Sequence, residues 1–192
     1  MAKNFVSLIL VLTSVLFTLS ADARTRRSKV TDVARNTIDE SLVTAPEPNE
    51  TCFAPDEPCD IKLLKFIQSA KVTLDIAIFD INLDQLVHAV LIQSKKIPVR
   101  ILVDRREAKG PHSKVSLLLN AGLSVKIGHQ RGIMHNKFAI VDGKTIETGS
   151  FNYTNGAAFK NNENQVYLNT PEIVERYRKR FEKIWAQADS AD

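Results

Sequence analysis

Met134-His135-Asn136-Lys137-Phe138-Ala139-Ile140-Val141-Asp142-Gly143 is the stretch from which the fold can be read, with Thr145-Ile146-Glu147-Thr148-Gly149-Ser150-Phe151-Asn152 close behind it. Phe138 to Val141 is a short apolar run, Asp142-Gly143 is a hairpin-turn dipeptide, and Thr145 to Thr148 resumes strand-forming composition. An antiparallel strand pair is predicted here. Upstream, the apolar period alternates between helix and strand. Asp60 to Ala70 carries Ile61, Leu64 and Ile67 at helical spacing, and Val72 to Phe79 alternates toward a buried strand. Leu83 to Lys95 gathers Leu86, Val87, Val90 and Leu91 into one stripe, and Pro98 precedes a strand at Val99 to Val103. Ser113 to Ala121 reads as a short helix stopped by Gly122, followed by a strand at Leu123 to Ile127. Downstream, Gln165 to Leu168 adds a strand. Pro171 then opens a helix with Ile173, Tyr177, Phe181, Ile184 and Ala188 on one face. βα units in series followed by a hairpin predict an α/β fold, a mixed β-sheet sandwiched by helices, as a single domain over residues 51–190.

The chain has 192 residues, 44% hydrophobic and 25% charged, with seven Gly and seven Pro. This excludes a disordered, collagenous or multi-span membrane chain and leaves room for one core. A formal charge of +4 permits an anionic partner without demonstrating one. Residues 1–23 read as a cleaved secretory signal peptide: Lys3 begins it, Phe5 to Leu19 is its apolar run, and Ala21-Asp22-Ala23 is an A-x-A site. An uncleaved anchor is the rival, but the run is shorter than the roughly 20 residues that span a bilayer. The expected location is therefore secreted or periplasmic, with no stable membrane span after cleavage. Residues 24–50, which mix Arg24, Arg26, Arg27 and Lys29 with Pro46 and Pro48, read as a linker or N-terminal arm.

Cys52 and Cys59 bracket a proline-bearing stretch in a chain expected to enter an oxidising compartment, so a local disulfide is predicted. A zinc site with His88, His112 or His129 is the alternative, although no CxxC or HxxxH spacing supports it.

Residues two apart on a strand face the same side, so His135 and Lys137 project together, a nucleophile beside a cation. Ser150 and Asn152 repeat that spacing after Gly149 and add two hydrogen-bonding groups. Glu163 stands at the start of a strand expected to run beside that of His135, as a candidate to hold the imidazole by its second nitrogen. Each has a plainer reading: a structural histidine, a solvated lysine, turn-forming Ser150 and Asn152, a polar strand-edge glutamate. Asp142 either touches the reaction or only ties the turn together. Arg105, Arg106 and Lys109 are either a phosphate-tracking rim or a solvated loop, and Arg176, Lys179, Arg180 and Lys183 read as a solvated helix face.

Taken together, His135-x-Lys137 with Asp142, then Gly149-Ser150-x-Asn152 and the downstream Glu163, resemble the HxK(x)4D and G-S-x-N signature of the phospholipase D superfamily. The likeness runs from about Cys52 to the C-terminus and is closest to small secreted bacterial endonucleases and mitochondrial phospholipase D-like nucleases. It implies a phosphodiesterase with a histidine nucleophile and neither metal nor cofactor. His135, Lys137, Asp142 and Glu163 would be the catalytic set, and Lys137, Ser150 and Asn152 would bind the phosphate. Members with two motifs supply two histidines from one chain. Here there is one, because His112-Ser113-Lys114 has Leu119 where the acid belongs and no G-S-x-N after it. A homodimer is therefore expected, acting on nucleic acid, DNA or RNA. A phospholipase acting on lipid headgroups and a nucleic-acid-binding module without turnover are the alternatives.

Overall fold

The strand Leu74–Ile78 (β2) sits mid-sheet: Leu74, Ile76 and Ile78 are buried toward one side, and Ala77 is buried toward the other, where Asp75 is ion-paired to Arg100. The computed structural model describes residues 39–128 and 132–191, so the expected signal peptide, most of the arm and His129 lie outside the described residues. Residues 40–192 form one compact unit. Its other strands are β1 (Thr51–Ala54), β3 (Val99–Asp104), β4 (Ser124–Gly128), β5 (Lys137–Val141), β6 (Thr145–Gly149), β7 (Glu163–Leu168) and β8 (Asp189–Ser190). They form one sheet in the order β1-β7-β6-β5-β2-β3-β4-β8. β2, β3 and β4 are mutually parallel, and every other neighbouring pair is antiparallel, so the sheet is mixed as expected.

The helices are α1 (Cys59–Gln68), α2 (Asp84–Ser94), α3 (Arg105–Ala108), α4 (Val115–Asn120), α5 (Asn155–Phe159) and α6 (Pro171–Ala186). One face of the sheet is covered by Leu63, Phe66 and Ile67 of α1, Leu86 and Val90 of α2, and Leu118 of α4. The other is covered by Val174, Phe181 and Ile184 of α6 against Ala77, Leu102, Phe138 and Ile140. Alternation along β5 divides its residues between the two cores, Ala139 and Val141 to the first, Phe138 and Ile140 to the second. The α/β sandwich is thus three layers deep.

Four elements were not foreseen. β1, α3 and α5 are only four or five residues long, too short for a period to show, and β8 has two. β1 lies in the segment read only as a cysteine-bracketed loop, and it pairs with β7 through Cys52↔Gln165 and Ala54↔Glu163. Cys52 and Cys59 are joined by a disulfide, with 5.6 Å between Cα atoms, which ties β1 to the first turn of α1. With both thiols consumed, they are not zinc ligands. Just before β1, Asn49 and Glu50 exchange backbone hydrogen bonds with Tyr167 of β7.

Candidate active site

The strand order brings the C-terminal ends of β2, β3 and β6 and the N-terminal ends of β5 and β7 to one edge of the sheet. His135 lies two residues before Lys137, which opens β5, Ser150 and Asn152 follow β6, and Glu163 opens β7. Five residues from three stretches of sequence therefore converge. Their strands are not arranged quite as expected: β7 runs beside β6 and β1, and β6 separates it from β5.

His135 is exposed, whereas Lys137 is buried beneath it, with Nζ 3.2 Å from His135 Nε2 and 5.2 Å from the centre of the Phe79 ring. Burial pushes the Lys137 amine below its usual pKa, opposed by the nearby Glu163 charge. An ammonium can only donate, so this contact is a hydrogen bond only when Nε2 carries no proton, the form a nucleophile needs. The imidazole also meets Phe79 edge to face at 4.6 Å between ring centres. The segment carrying it is tied to β3, because buried Asp104 accepts the Met134 N–H at 2.8 Å through one carboxylate oxygen and caps α3 through the other. Asp104 and Phe79 escaped the sequence reading. Their one available signal was position, at or just past the C-terminal ends of parallel strands, where ligand sites of open α/β sheets form.

Glu163 does not hold His135 within this chain. Its carboxylate accepts the Ser150 hydroxyl on one oxygen and Asn161 Nδ2, at 3.0 Å, on the other. Ser150 Oγ in turn accepts from the backbone N–H and side-chain amide of Asn164, at 3.1 and 3.3 Å. The expectation failed because β6 stands between the two strands and supplies the nearer partner. Gly149 permits this arrangement: a Cβ there would lie 2.1 Å from the Asn164 carbonyl oxygen, so the close approach of β6 to β7 requires glycine. Asn152 is half-buried, with Oδ1 lacking a hydrogen-bond partner among the described residues. Its neighbour Tyr153 is fully buried and donates to Glu147 at 3.0 Å, anchoring the loop from below.

Asp142 is at the opposite end of β5, about 17 Å of extended strand from Lys137. Its carboxylate accepts backbone N–H groups of Lys71, Val72 and Thr73 at 2.7–3.1 Å, fastening the turn to the start of β2. Asp142 and Gly143 both take positive φ, 55° and 62°, as the tight turn demands. Of its two readings, tying the turn together is the one the geometry supports, and its assignment to the catalytic set is corrected accordingly. Arg105, read as part of either a phosphate-tracking rim or a solvated loop, is ion-paired to Asp189.

A family model described as cardiolipin synthase, PLD-like domain, matches residues 63–185. The chain belongs to the phospholipase D superfamily. It is 33% identical over 178 residues to the mitochondrial cardiolipin hydrolase of Mus musculus, covering 89% of this chain and 80% of that one. Against the mitochondrial cardiolipin hydrolase of Chlamydomonas reinhardtii it is 36% identical over 125 residues, covering 65% of this chain and 56% of the relative, little more than half its length. Among solved structures it resembles Nuc from Salmonella typhimurium, a phospholipase D family member, with 28% identity, a TM-score of 0.69, and coverage of 73% of this chain and 95% of that one. Membership of the superfamily places the chain among phosphodiesterase-type hydrolases, with the fold that Nuc displays.

Proposed function

We propose that this protein is a metal-independent phosphodiesterase, an endonuclease that cleaves nucleic acid through a phosphohistidine in a site shared by two copies of the chain. As the bound phosphate draws the Lys137 ammonium onto its own oxygens, the freed lone pair of His135 Nε2 attacks phosphorus, and the P–O bond to the leaving oxygen breaks as the His135 of a second copy donates that oxygen a proton. The second imidazole then takes a proton from water. The new P–O bond forms as the P–N bond breaks, and both histidines return to their starting states. Lys137, Ser150 and Asn152 hold the nonbridging oxygens, where charge accumulates in the transition state. Glu163, through its bonds to Ser150 and Asn161, keeps that set in place.

The observation that carries this reading is the exposed His135 ring 3.2 Å above a buried lysine amine at a sheet edge. A second histidine is required for the leaving oxygen, and this chain offers one in that setting, which supports an isologous dimer with His135 near its axis. Hydrolysis of phospholipid headgroups is a second reading, favoured by relatives named as cardiolipin hydrolases. The Cys52–Cys59 disulfide supports residence in an oxidising, secreted or periplasmic, compartment.

Treating DNA, RNA and cardiolipin vesicles with the protein in excess chelator tests the reaction: cleavage of nucleic acid with intact vesicles is expected. Activity that is lost with chelator and restored by Mg²⁺ or Zn²⁺ would overturn the histidine mechanism. Titrating His135→Ala chains into wild type tests the shared site. Activity per wild-type chain should fall as heterodimers form, and a constant value in a mixture shown to contain them would mean that each chain works alone.

A further inference from the structure

Alternation along the entry to β5 sends Asn136 to the face opposite His135 and Lys137, the face covered by α6. There a cavity of about 410 Å³ is lined by Asn136, Phe138, Ile173, Arg176, Tyr177 and Arg180. Its floor is apolar and aromatic, with Phe138 and Tyr177 edge to face at 5.1 Å. Its rim is formed by two exposed arginines one helical turn apart. Like charges at that spacing repel and weaken a helix, and an anion between them would reverse the sign. Other basic side chains of this neighbourhood are ion-paired: Arg178 and Lys179 share Glu175, and Arg100 meets Asp75 and Glu182. Arg176 and Arg180 have no acidic partner within ion-pair distance among the described residues.

We propose that this cavity is a subsite for the nucleotide flanking the scissile phosphodiester of a single-stranded nucleic acid. Arg176 and Arg180 grip its phosphate, Tyr177 and Ile173 receive the face of its base, and the Asn136 amide reaches the sugar or base edge. The subsite rests on the nuclease reading and supplies its substrate class. The adjacent position of Asn136 puts the cavity just over the sheet edge from the reacting phosphorus, where the next phosphate of a polynucleotide falls. An unstacked base is needed to meet the aromatic floor, which selects single strands. A bilayer suits the surface less well, because the large exposed apolar side chains all lie outside α6, leaving nothing on this helix to insert.

The test compares Arg176→Ala/Arg180→Ala with Lys179→Ala/Lys183→Ala, which removes equal charge from α6 outside the cavity. Three substrates are used: a single-stranded oligonucleotide, bis(p-nitrophenyl) phosphate, which has no flanking nucleotide, and cardiolipin vesicles. The arginine pair should lower the ratio of oligonucleotide to small-diester kcat/KM at least about tenfold and make the salt dependence of oligonucleotide binding shallower by about one power. The lysine pair should change that ratio less than threefold. Equal losses in the two variants would mean diffuse attraction and overturn the subsite. An unchanged ratio in the arginine variant would overturn it as well, as would a loss confined to vesicles. Wild-type protein that hydrolyses the small diester or vesicles but no nucleic acid would instead refute the nuclease reading, and the subsite with it.

Discussion

The two ends of β5 come from one eight-residue signature and are put to opposite uses. At the N-terminal end, Lys137 is buried and His135 stands exposed above it, with Ser150 and Glu163 brought in from other strands. At the C-terminal end, the carboxylate of Asp142 is consumed by three backbone N–H groups. One end presents an exposed imidazole at the sheet edge, and the other turns its carboxylate onto its own chain. Recurrence of a residue type in a motif therefore does not assign it to the reaction: a carboxylate fully engaged by main-chain donors is part of the frame.

Substitution at each end should separate chemistry from stability. His135→Ala is expected to lower kcat at least about 10³-fold while leaving the thermal midpoint within a few degrees, as read by diester turnover and calorimetry. Retention of near wild-type turnover would break the contrast at its active end.

Between the ends lies Glu147 on β6, fully buried, its carboxyl pushed up to about 8 by desolvation and partly restrained by the Tyr153 hydroxyl. The folded state favours the protonated form, so folding takes up a proton between pH 4.5 and 8 and stability falls as pH rises through that window. Glu147→Gln keeps an acceptor for Tyr153 and removes the titration. It should be more stable than wild type at pH 9, by on the order of 3 kcal/mol, with the difference shrinking toward pH 5 in denaturant melts. A difference independent of pH would show that Glu147 does not titrate in this range.

Lys137→Ala should cost about 10²-fold in kcat/KM and weaken binding of a nonhydrolysed oligonucleotide, since in the proposed mechanism the amine serves both the histidine and the phosphate. Loss of kcat alone would restrict it to positioning His135. The smallest effect belongs to the far end of the strand. Asp142→Ala strips three N–H groups of their acceptor and puts alanine at positive φ, yet water reaches Lys71 and Val72, so about 2 kcal/mol of stability should go. Activity per folded molecule should stay within about threefold. A thousandfold loss in folded protein would return Asp142 to the reaction.

Much of this was legible without coordinates, because local patterns carry it. The period-two and period-3.6 runs located β2 to β7 and the main helices, and the Asp142-Gly143 dipeptide located the hairpin, since turn geometry depends on neighbours in the chain. His135 and Lys137 meet because the chain entering β5 keeps the side-to-side alternation of a strand, and the two are two residues apart. Glu163 was legible as a residue but not in its bonding, because strand order in a sheet depends on pairings between distant segments that periodicity does not encode. Asp104 was silent for the same reason, its partner Met134 lying 30 residues away.

Sequence alone thus determined the fold class, the signature residues and the reaction family, all carried by spacing along the chain. Tertiary structure decided which groups each carboxylate bonds. Asp104 and Asp142 both bind backbone N–H groups, and Glu163 is tied to Ser150 and Asn161. A carboxylate's role is set by the donors it meets in space, and those donors are brought to it by sheet order.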